Sequence, residues 1–75
     1  MSRLPRISGR ECVSALQKAG FAVIRQHGSH VVLNKADTFT QLVVPEHKEL
    51  DTGTLRAIIR QSGLSVEEFL KLIRS

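Results

Sequence analysis

Apolar residues at Cys12, Val13, Leu16 and Ala19 recur at helical spacing, which predicts a first helix. Ser8 and Glu11 stand before that stripe as an S-x-x-E capping box, with Ile7 and Cys12 as its flanking staple. Gly20 follows where a left-handed cap is wanted, and Phe21 can fold back onto Leu16. The period then changes. Residues 21–26, 30–34 and 41–44 are rich in β-formers and predict three strands. Gly28-Ser29 is a turn signal between the first two. The polar stretch Lys35 to Thr38, with Asp37, reads as the second hairpin loop. Pro45 ends the third strand because it cannot donate to a ladder. After the charged loop 46–51, a helix over 52–62 is capped by Asp51 or Thr52 and striped by Leu55, Ile58 and Ile59. Gly63 stops it. Ser65 and Glu68 form a second capping box, stapled by Leu64 and Phe69. A short helix over 66–73 then presents Val66, Phe69, Leu70 and Ile73.

The order is helix, three-stranded meander, helix, short helix. Sequential strands joined by short turns form an antiparallel sheet. The amphipathic helices need a sheet face on which to bury their stripes, so the expected fold class is an α+β two-layer sandwich. That order resembles the double-stranded-RNA-binding fold with an extra C-terminal helix. At 75 residues the chain is expected to form one domain over 1–75, with no room for a cofactor domain. Three phenylalanines are its only aromatics, so aliphatic side chains must fill the core.

Charge narrows the partner class. Eleven Lys and Arg against seven Asp and Glu give a net charge of +4. On so small a body that excess favours a polyanion, of which nucleic acid is the commonest. A single cysteine, Cys12, excludes an internal disulfide and a clustered-cysteine zinc site, and fits a reducing cytoplasm. No apolar run approaches the roughly 20 residues of a membrane span. The N-terminus lacks the apolar core of a signal peptide.

His30 is the leading candidate for chemistry. It opens the second strand directly after the turn and shares a face with Val32 and Asn34, opposite Val31 and Leu33. Imidazole as a group changes charge near neutral pH and can transfer protons at a reacting hydroxyl. The competing reading is a surface histidine with no task. His47, in the loop after Pro45, is a possible second proton-transfer or phosphate group, or simply solvated. His27 can stack on a base or face water. A strand-turn pair of histidines is not a recognised metal-ligand spacing, and no carboxylate is placed to orient the rings, so no metal is expected. Ser29 is adjacent to His30 but points away from it on an extended chain, so it reads as a turn residue. Cys12 reads as core.

Arg56 and Arg60 are four apart and share a helix face away from the apolar stripe. Arg3, Arg6 and Arg10 gather before and within the first turn of the first helix, and Lys48 lies before the second. Singly each reads as solvated charge. As a set they can follow a phosphate backbone.

Leu4-Pro5, Ser8-Gly9-Arg10-Glu11, Ala19-Gly20-Phe21, Gly28-Ser29-His30, Val44-Pro45-Glu46-His47, Gly53-Thr54-Leu55-Arg56 with Ile59, and Gly63-Leu64-Ser65 with Glu68-Phe69 occur in one order. In that order and spacing the chain resembles the HicA toxin family, the RNA-cleaving half of a bacterial toxin–antitoxin pair. The resemblance implies a double-stranded-RNA-binding-like fold, metal-independent endoribonuclease activity without a cofactor, and a catalytic role for His30. It implies mRNA as the substrate and a HicB-type antitoxin that covers the active site. Ser29 and His47 are auxiliary candidates, and Arg10, Lys48, Arg56 and Arg60 are the RNA-binding candidates.

Three other readings stay open from the residues. One is a non-catalytic RNA-binding module of the same fold. Another is a helix-turn-helix over 55–73, which Glu67 and Glu68 oppose by placing carboxylates where DNA phosphates would lie. The last is a purely structural partner protein.

Overall fold

The computed structural model describes residues 4–75. Arg3, one of the cations named above, lies outside the described residues. The elements run α1 (Gly9–Lys18), β1 (Ala22–His27), β2 (His30–Lys35), β3 (Thr40–Pro45), α2 (Thr52–Ser62) and α3 (Val66–Arg74). The expected α+β order is the observed one, with strand ends displaced by about one residue.

Both capping boxes form. The Ser8 hydroxyl accepts from the Glu11 amide and the Glu11 carboxylate accepts from the Ser8 amide; Ser65 and Glu68 do the same for α3. Gly20 takes φ +105°. There the Phe21 amide donates to the Leu16 carbonyl and the Gly20 amide to Gln17, the paired bonds of a Schellman ending. Phe21 is thereby turned into the core. Asp51, not Thr52, caps α2, and Gly63 closes it at φ +83°.

The strands form one antiparallel sheet in the order β1-β2-β3. Val31, Leu33, Leu42 and Val44 share one face, since Leu33 pairs with Leu42 and Val31 with Val44. They join Cys12, Ala15 and Leu16 of α1, Leu55, Ile58 and Ile59 of α2, and Phe69 of α3 in a single core. α2 packs against β3, and α3 packs against α1. Lys18 fastens that last contact, its Nζ donating to the carbonyls of Leu72 (3.2 Å) and Ser75 (2.6 Å).

Two features depart from the alternating pattern. Val32 lies on the face opposite the helices yet is only 5% exposed; it sits between its cross-strand partners Arg25 and Val43. The second loop extends to Phe39, whose φ of +55° is left-handed and whose side chain is 92% exposed. A bulky residue in that region is an outlier. Cys12 is fully buried, and burial pushes its thiol up to about 12, so it stays protonated core.

Candidate functional site

One end of the sheet gathers three segments distant in sequence. The β1–β2 turn carries Gly28 at φ +58° and Ser29 at negative φ, the φ signs of a II′ hairpin turn with glycine first. His30 follows as the first residue of β2, exposed to solvent. Its neighbours across the sheet are His27 on β1 and Pro45 on β3. The turn is fastened to β3 by the Glu46 amide, which donates to the Ser29 carbonyl at 2.6 Å. The Gln26 side-chain amide donates to the Gly28 carbonyl at 2.9 Å and to the Glu46 carboxylate at 3.3 Å.

The start of α1 completes this end. The Gly9 amide donates to the His47 carbonyl at 2.9 Å, and the Leu50 amide to the Ile7 carbonyl at 2.8 Å. Gly9 is buried. A side chain on it would strike the Pro45 carbonyl and the Glu46 Cα. Only glycine lets α1 approach the β3 terminus this closely. The helix start, the turn and the Pro45–Glu46–His47 segment are therefore fixed relative to one another by main-chain bonds.

Of the candidate residues, Ser29, His30, His47 and Arg10 belong to these three segments, and Lys48 adjoins them in the loop. All but Ser29 carry side chains able to bear positive charge, and all are exposed. Arg56 and Arg60 stand on the exposed side of α2, away from buried Leu55, Ile58 and Ile59, as their spacing requires. No ion pair or hydrogen bond links them to the turn among the described residues. Arg6 is drawn aside into a solvent-exposed pair with Glu49 at 3.9 Å, a contact of small energetic weight. Among the described residues no group of three His, Cys, Asp or Glu side chains is gathered for a metal ion, and no helix is long and apolar enough to cross a membrane.

The individual residue reading missed Gln26, Glu46 and Gly9 as braces of this end. Gly9 and Glu46 are legible only as members of the strings that carry the family resemblance. Gln26 carried no signal, because its role depends on a two-residue turn folding back beside the end of β3.

An exposed imidazole beside a rigid turn, with Arg10, His47 and Lys48 on the adjoining segments, can accept a proton from a hydroxyl and hold an anionic group. No curated protein sequence matches the chain. The family model described as the HicA toxin of bacterial toxin–antitoxin systems matches residues 9–64. That span runs from the glycine packed beneath β3 to the residue after the α2 cap and contains every candidate site residue, and the chain accordingly belongs to the HicA toxin family.

Proposed function

We propose that this toxin is a metal-independent endoribonuclease acting on mRNA, with His30 as its general base. The observation that carries the reading is an exposed His30 at a braced turn, in a chain of a toxin family. His30 takes the proton from a ribose 2′-hydroxyl, and the 2′-oxygen attacks the adjacent phosphorus. The P–O5′ bond breaks and the departing 5′-oxygen takes a proton, from His47 or water. The products are a 2′,3′-cyclic phosphate and a 5′-hydroxyl. Arg10 and Lys48, with Ser29 or a main-chain amide, stabilise the charge on the phosphate oxygens. Arg56 and Arg60 follow the RNA backbone farther along α2. DNA lacks the nucleophile and resists. A HicB-type antitoxin is the proposed protein partner, silencing the toxin by covering His30.

The test is incubation of a long single-stranded RNA with the chain in excess chelator. Fragments with 5′-hydroxyl ends are expected, and cognate antitoxin should stop their formation. His30→Ala should slow cutting by about 10²–10⁴-fold while RNA binding persists. Equal cutting by His30→Ala, or fragments bearing 5′-phosphates, defeats the mechanism. Binding without any cutting by the unaltered chain favours the non-catalytic module.

A further inference from the structure

α1 has two flanks with different fates. Glu11, Ser14 and Lys18 face α3 across a smaller pocket of about 100 Å³, and Lys18 ties that flank to the end of α3. Arg10, Val13 and Gln17, at positions i, i+3 and i+7 on the other flank, face β1 across an open groove. The groove has a volume of about 250 Å³ and is completed by Val23, Gln26, Val31 and Glu46. Val31 is buried and forms its floor, while Val23 is 42% exposed at its rim.

We propose that this groove binds one unstacked base of the RNA, with guanine preferred. The proposal rests on the RNA-cutting reading above and adds the base that accompanies the cut. Val13, Val23 and Val31 give the groove an apolar patch that suits the flat face of a heterocycle, as RNA readers splay bases into such sites. Its size admits one base and not a base pair. Glu46 supplies the selectivity. One of its carboxylate oxygens accepts from Gln26, and the other has no hydrogen bond among the described residues. A carboxylate accepts from the N1–H and the exocyclic amine of guanine. Adenine and cytosine instead present a ring-nitrogen acceptor there, which it repels, and uracil offers a single ring N–H. Gln17 can donate to guanine O6 or N7, and Arg10 at the mouth suits the nucleotide's phosphate. Gln26 joins groove and turn, because the amide that holds Glu46 also holds the Gly28 carbonyl. A base in the groove is thus coupled to the turn that bears His30.

Two measurements test this. The first is titration of the isotope-labelled chain with GMP, AMP, CMP and UMP, following the side-chain amide signals of Gln17 and Gln26. GMP should shift both, and Glu46→Gln should weaken that response about tenfold. The second maps every cut in a mixed-sequence single-stranded RNA. Guanine should be enriched at one position beside the cut, and Val23→Phe, which fills the groove, should erase the enrichment. Absence of any guanine-selective shift at these amides overturns the proposal. So does an unchanged base profile in Val23→Phe. Loss of antitoxin binding with an unchanged base profile assigns the groove to the protein partner and overturns it equally. If the unaltered chain cuts no RNA, the nuclease reading fails, and the nucleotide titration decides the groove alone.

Discussion

β1 and β3 are both six-residue edge strands rich in β-formers, yet their surroundings differ completely. β3 alternates, with Leu42 and Val44 fully buried. Every residue of β1 is exposed. The cause lies in the helices. α2 packs on β3, and the buried side of α1 meets the same core, so only the Arg10–Val13–Gln17 flank is left to face β1. β1 also carries a register shift between Val23 and Arg25, leaving Ile24 as an extra residue. Such a bulge discourages another strand from pairing with the edge. The molecule thus puts its cohesion on the β3 side and leaves the β1 side as accessible surface.

Core truncation should show the contrast most strongly. Leu42→Ala should cost about 2–5 kcal/mol in urea unfolding. A loss similar to that of a β1 substitution would erase the distinction between the edges. Gly9→Ala should cost about 1–3 kcal/mol, because the added methyl must push α1 away from Pro45. Its RNA cutting should fall more than its melting temperature alone would suggest, because the same shift displaces the His47 segment. Phe39→Gly should raise stability by roughly 1 kcal/mol in the same unfolding assay. That substitution relieves a left-handed backbone and gives up almost no buried surface. Val23→Ala should stay within about 0.5 kcal/mol of the unaltered chain.

The smallest effect concerns acid. Asp51 is held below the usual carboxylate range by the side-chain hydrogen bond from Thr54 and then by the Thr54 amide. Glu68 is held low by the Ser65 amide, the Ser65 hydroxyl and Lys71. A lowered folded value favours the ionised form in the native state. The stabilisation is therefore present above the ordinary carboxylate range and disappears as pH falls through the lowered folded value. Melting temperature against pH should fall less steeply in acid for Asp51→Asn, which keeps a capping oxygen without titrating.

Much of the fold was legible because its signals are local. The Ser8–Glu11 and Ser65–Glu68 boxes, Gly20, Gly28 and Gly63 each act within a few residues. The Leu55–Ile58–Ile59 stripe needed only helical period. What escaped depends on tertiary placement. Val32 reads as part of a wet face beside His30 and Asn34, yet it is nearly buried between its cross-strand neighbours Arg25 and Val43. Phe39 fell outside the expected loop, since an aromatic in a left-handed turn contradicts its propensity. His30 stood out by its motif, and the turn did place it in solvent. Its bracing by Gln26 and Glu46 emerged only from strands folding together.

The hydrogen bonds from Gly9 to His47 and from Leu50 to Ile7 clasp the 46–50 loop between two main-chain rungs. A segment without regular secondary structure should therefore hold its protons against solvent as a short ladder does. The Gly9 and Leu50 amides can serve as built-in gauges in deuterium exchange, reporting when the histidine-bearing corner comes apart before the rest of the chain melts.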